Sequence, residues 1–126
     1  MSKLKALFLV LTGLLAGAAL TLLAKQSQPV TQRTPQFENS DVKVWKTLIQ
    51  PNQPLSLHRH ENGRAIIALQ GGTLTIRKEN GTSKKVTWET GKAYWLEADP
   101  PNELHANLNE TTKPIEVMVV ELQKKK

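Results

Sequence analysis

The alternation of apolar and polar positions divides the chain into three textures. From Ala6 to Ala24 there is no charge, and Lys3 and Lys5 stand just before the run; this is the arrangement of a targeting segment rather than of a packed element. Residues 25–40, KQSQPVTQRTPQFENS, carry two prolines and no apolar period, which predicts a polar linker. From residue 41 onward, short stretches rich in Val, Ile, Thr, Leu and Trp recur between turn signals: DVKVWKTLI, LSLHRH, RAIIALQ, TLTIRK, KKVTW, AYWLE, LHANL and IEVMVVEL. They predict seven or eight strands and no helix. The Asn-Gly pair of ENGT at 79–82 marks a hairpin, and QGG and TGK mark further turns. Strands this short, at this spacing, predict an all-β domain, a small antiparallel jelly-roll barrel over residues 41–123. Ahead of it stand the leader, 1–24, and the linker, 25–40; after it comes a basic tail, 124–126.

Charge narrows the choice of partners. The formal charge is +6, yet seven of the 17 basic residues lie at the ends: Lys3, Lys5, Lys25, Arg33 and Lys124 to Lys126. From Asp41 to Gln123 ten basic and ten acidic residues cancel, so the domain is not expected to bind nucleic acid. The leader's small residues, AGAA at 16–19, suit a cleaved signal peptide, and its length, close to the roughly 20 residues that span a bilayer, suits an uncleaved anchor. Cleavage is the preferred reading. Both outcomes export the barrel to a periplasmic or extracellular location, with membrane contact only through residues 6–24 if uncleaved. The chain has no cysteine, which excludes a lipoprotein anchor and any disulfide.

Candidate chemistry centres on histidine. His58 and His60 stand two apart in an expected strand and project the same way, about 6.5 to 7 Å apart along it, while Arg59 points to the other face. His105 lies in another expected strand, and three imidazoles from two strands can cap one divalent first-row ion with coordination positions left open. Imidazole suits Fe, Zn, Mn, Cu and Ni alike, so the ion's identity is not expected to be legible. An isolated H-x-H pair can equally be polar sheet surface. Trp45, Trp88, Tyr94 and Trp95 are expected to pack in the core or across strands rather than to line a pocket.

These residues fall into a pattern that resembles the two motifs of the cupin superfamily. In the first, His58, His60 and Gly71 match, with Asn52 at the family's first glycine and Arg64 at its glutamate. In the second, Pro100, His105 and Asn109 match, with Asn102 at the inner glycine; Gly91 also matches, but eight residues rather than five separate it from Pro100. Both replaced glycines are asparagines, which tolerate a left-handed backbone, so the turns are expected to persist. The resemblance spans residues 42–122 and implies a jelly-roll barrel of six to eight strands. For function it implies little, because the superfamily includes dioxygenases, isomerases, decarboxylases, storage proteins and ligand-sensing domains.

Arg64 sets this chain apart from the pattern. A guanidinium about 5 Å from a dication would repel it by several kcal/mol at an effective dielectric near 20. Three resolutions are open: Arg64 swings out or pairs with Glu61 or Glu103; an anionic ligand bridges the metal and the arginine; or the barrel has given up metal. Glu103, two residues from His105, is the expected protein partner. The second resolution resembles the site type of thiol dioxygenases, in which the substrate brings negative charge to the metal and arginine holds its carboxylate. The sequence thus predicts His58, His60 and His105 as metal ligands and Arg64 with Glu103 at the place of a small anionic ligand. It leaves open an oxidative enzyme, a non-catalytic ligand- or metal-binding barrel and a metal-free degenerate one, and also leaves a homodimer open.

Overall fold

The computed structural model describes residues 29–124; the leader, residues 1–24, lies outside the described residues. Nine strands follow in order: β1 (Gln32–Glu38), β2 (Val42–Ile49), β3 (Leu55–His58), β4 (Arg64–Gln70), β5 (Gly72–Lys78), β6 (Ser83–Trp88), β7 (Ala93–Leu96), β8 (His105–Leu108) and β9 (Ile115–Leu122). They form a five-stranded sheet ordered β1-β2-β9-β4-β7 and a four-stranded sheet ordered β3-β8-β5-β6. Every strand pairing is antiparallel. No helix occurs among the described residues.

The inward positions follow the period of two that the sequence carries. Trp45, Thr47 and Ile49 of β2, Ile66 and Ala68 of β4, and Ile115, Val117 and Val119 of β9 are buried at alternate positions. With Leu74 and Trp88 from the smaller sheet, all of these but Thr47 form the hydrophobic core. The aromatics divide accordingly: Trp45 and Trp88 are buried, Tyr94 packs against the core, and Trp95 is exposed.

One stretch departs from the sequence reading. Residues 32–38, inside the expected linker, form β1 and pair with β2 from Gln32–Leu48 to Glu38–Lys43, with an irregularity between Pro35 and Phe37. All seven residues of β1 are exposed. An edge strand that buries no side chain leaves no apolar alternation to read, and Pro35 breaks the pattern further.

The turns behave as the sequence predicts. Asn52 and Asn102 have φ of 56° and 62°, the two non-glycine residues with positive φ among the described residues, so asparagine does carry the left-handed turns where the resembling pattern has glycine. Gly71 is held to glycine by space, since a Cβ there would overlap the backbone carbonyl oxygen of Trp88. Asn109 is fully buried and structural: its Nδ2 donates to the carbonyls of Ile49 (3.0 Å) and Lys113 (2.7 Å), and its Oδ1 accepts from the Thr111 amide at 3.0 Å.

Candidate metal centre

β3 and β8 bring the histidines together. His58 ends β3 and is the cross-strand partner of His105, which opens β8; partners of an antiparallel pair share a face. Their ring centroids are 4.4 Å apart. His60 lies just past the end of β3, its ring 5.0 Å from that of His58 and 5.8 Å from that of His105. One ring nitrogen from each imidazole falls within 4.8 Å of the others, so small ring rotations bring all three to one ion.

Oxygen acceptors fix how the rings can bind. The Nδ1 of His58 donates to the Ser56 carbonyl at 2.7 Å, which leaves Nε2 with its lone pair, and that atom is buried without a hydrogen-bond partner. The Nδ1 of His60 is 2.9 Å from Oε1 of Glu121, and the Nδ1 of His105 is 3.5 Å from Oδ2 of Asp99. Acceptors at Nδ1 favour the tautomer with Nε2 free to ligate, the usual support of a metal-binding histidine. Asp99 does more, since its Oδ2 also accepts the His60 backbone N–H at 2.7 Å. Burial lowers His58 from its ordinary 6.5 to about 4, against the opposing Ser56 carbonyl and with Arg33 and the other two histidines adding to the fall. His105 is lowered too, first by burial, with Asp99 opposing. Both rings are therefore neutral at neutral pH, as a ligand must be.

A cavity of about 40 Å³ adjoins the cluster, walled by the three histidines together with Arg33, Trp45 and Arg64 among others. A water needs roughly 10–15 Å³ on this measure, so an ion and a small ligand group can enter. The Trp45 ring runs parallel to that of His60, 3° between planes and 6.1 Å between centroids. A larger groove of about 390 Å³ lies outside and shares Arg33, Trp45 and His60 with the cavity.

Arg64 points inward. It opens β4 in the buried register that Ile66 and Ala68 continue, and it is 6% exposed. Its Nη1 donates to the Glu97 carbonyl at 3.2 Å, and its Nη2 is 3.9 Å from Oδ1 of Asp99. Burial lowers this guanidinium from its ordinary value, while Asp99 and Glu121 oppose; Glu121 is also its cross-strand neighbour on β9.

The expected partner Glu103 is elsewhere. Its carboxylate is 2.8 Å from Nζ of Lys78, and it lines a separate surface groove with Asn102 and Leu104 rather than the cavity. The alternation counted back from His105 fails because β8 begins at His105 and the chain turns at Asn102. Glu61, the other alternative, lies 3.6 Å from Arg59. The structure adds four residues that the sequence reading did not place at the site: Arg33, Trp45, Asp99 and Glu121. Glu121 left a legible signal, a carboxylate continuing the inward series Ile115, Val117, Val119. Asp99, in the ADPP turn, left none.

No family model and no curated protein matches the chain. Solved structures do. A cupin domain from Bordetella pertussis Tohama I superposes with a TM-score of 0.67 at 20% identity, over 79% of this chain and 99% of that one. The domain has the cupin fold. An uncharacterised protein with a double-stranded beta-helix domain from Klebsiella pneumoniae gives 0.57 at 20% identity, over 76% of this chain and 79% of that one. An rmlc-like cupin family protein from Methanocaldococcus jannaschii gives 0.57 at 12%, over 77% and 84%. In this cupin barrel the histidines of both motifs converge, so they can hold a metal ion.

Proposed function

We propose that the barrel, exported behind its leader, binds one divalent first-row metal ion through His58, His60 and His105 and takes a small anionic molecule beside it. The observation that carries this reading is the buried, unpartnered Nε2 of His58. A buried lone pair without a partner is costly unless something binds it. The charge balance supports the anion. Arg33 and Arg64 stand against Asp99 and Glu121 around the histidines, so the charge of a divalent ion would remain uncompensated until an anion enters. Elemental analysis of protein purified without added metal tests the first half. About one equivalent of iron, zinc, manganese, copper or nickel is expected; absence, with no rise in Tm on adding each ion, would overturn it.

A second reading makes the site catalytic, and one observation favours it. Three ligands leave coordination positions open, and the cavity beside them shares Arg33, Trp45 and His60 with a groove large enough for a small substrate. A metal held this way supplies Lewis-acid or oxygen-dependent chemistry, while Trp45, Arg64 and the buried wall orient the molecule and limit water. Oxygen uptake by iron-loaded protein across thiols, diketones and phenols separates the readings. Turnover supports the oxidative enzyme, and saturable binding without turnover supports the binding barrel.

A further inference from the structure

The two sheets of the barrel differ on the side turned away from the core. The smaller one turns Thr73, Thr75 and Arg77 of β5 outward, paired with Thr87, Lys85 and Ser83 of β6, the polar exterior of a sheet with one wet face. The larger one does not. Ala65 and Ile67 of β4 pair with Val120 and Met118 of β9, and Ala65 pairs with Trp95 of β7 on its other side. Cross-strand partners share a face, and this face is opposite to the one on which Ile66, Val117 and Val119 enter the core. The runs AIIAL at 65–69 and VMVV at 117–120 are therefore apolar on both faces, as strands are when both faces are covered. Among the described residues every strand belongs to one of the two sheets and no helix occurs, so no element covers the second face.

Trp95 is set on that face as an anchor. Its Nε1 donates to Oε1 of Glu97 at 2.8 Å and its ring lies over Gly63, where a Cβ would overlap it, yet the residue is 51% exposed. The indole is thus held with its polar atom satisfied and its apolar surface free, a disposition that suits a partner's surface. Charge identifies the partner. On β2, β9, β4 and β7 the outward positions carry two charges, Lys46, opposite Met118, and Glu116, opposite Leu48; neither has an ion-pair partner among the described residues. A second copy supplies the opposite sign at both, because a two-fold axis lying between two such faces sets Lys46 of each copy against Glu116 of the other. Five strands about 4.8 Å apart and up to about 27 Å long give the face a footprint of roughly 500 Å², a size at which apolar surface marks an interaction site. With the relief of its side chains it approaches the roughly 800 Å² per partner of a standard interface.

We infer that the outer face of the five-stranded sheet is the interface of a two-fold symmetric homodimer, with Ile67, Met118 and Trp95 desolvated and Lys46 paired with Glu116 between copies. None of these residues walls the cavity at the histidines, so the inference stands apart from the metal reading. Sedimentation equilibrium of the full chain, up to about 100 μM, tests it, and a dimer dissociating in the micromolar range or below is expected. Ile67→Lys, which puts an amine on the apolar face but leaves the core face untouched, should weaken the dimer by at least about a hundredfold with the circular dichroism of the fold retained. Lys46→Glu should weaken it by roughly tenfold, and adding Glu116→Lys to the same chain should restore it, since the swapped pair is again complementary to itself. A native chain that stays monomeric overturns the inference, whether the face then proves to be covered by the chain's own residues 6–24 or to take up phosphatidylcholine vesicles. A dimer that Ile67→Lys leaves intact, or one that the charge swap fails to restore, overturns it as well.

Discussion

Arg64 and Asp99 face each other across 3.9 Å beneath the histidine cluster, so the cation standing where the resembling motif has a carboxylate is opposed from within the fold. Asp99 at the same time holds the His60 amide at 2.7 Å and lies 3.5 Å from the His105 ring. One carboxylate therefore couples the arginine to both His60 and His105. Arg64→Glu would put a carboxylate beside Asp99 and Glu121. Metal affinity is expected to rise by roughly tenfold or more, since a repelling charge becomes an attracting one at short range. The metal-free protein should lose stability by the same repulsion. Calorimetric metal titration and melting with and without metal check both arms; unchanged affinity would show that Arg64 does not act on the ion.

The three histidines are expected to behave as a set. Alanine at any one of positions 58, 60 or 105 should lower metal content below stoichiometric, because two imidazoles hold an ion far less tightly than three. His58→Ala should cost the metal-free fold little, for that ring is partly exposed and its Nε2 makes no hydrogen bond. His60→Ala should cost more, since it leaves Glu121 without its 2.9 Å partner. Melting of the metal-free variants separates the two effects.

Glu121 should act through His60 and not on the ion. Glu121→Gln keeps the shape and a side-chain oxygen but removes the charge that supports the imidazole. An affinity loss of about ten- to a hundredfold is expected at full occupancy under excess metal. A variant that binds as tightly as the parent would show that the 2.9 Å contact leaves the ring's ligand strength unchanged.

The turn asparagines offer a test of backbone strain. Asn52→Ala and Asn102→Ala should each cost about 1–2 kcal/mol, because alanine pays the left-handed penalty in full, while glycine at either place should be nearly neutral. Urea denaturation of the four variants measures it. Equal losses for alanine and glycine would mean that the side chains, not φ, matter there.

Those asparagines also show why much of the fold was legible. Local signals determine turns, strand alternation and motif spacing, and these are what place His58 opposite His105 and Arg64 in an inward register. What was not legible depends on long-range pairing. β1 buries none of its residues, so only its ladder to β2 reveals it, and with it Arg33. Asp99 reaches His60 from 39 residues away, a closeness that no local pattern encodes. Glu103 misled because the alternation stops at His105, where β8 begins, and Glu103 belongs to the turn that follows Asn102.

Acid should weaken the metal-free barrel, and the sign follows from His58. Its value in the fold is about 4 against an ordinary 6.5. Above 6.5 neither the folded nor the unfolded form carries the proton and His58 contributes nothing to the pH dependence. As pH falls from 6.5 the unfolded chain takes up a proton that the folded ring refuses, so stability drops until about pH 4, where the folded ring protonates too. His105, lowered for the same reason of burial, bends the curve the same way. Arg33, Arg64, Asp99 and Glu121 face this cluster as well, so the part owed to His58 is read as a difference. Urea denaturation of metal-free native and His58→Asn protein at pH 7 and pH 5 should give a smaller loss for the variant; equal losses would show that the His58 ring titrates as it does in an unfolded chain.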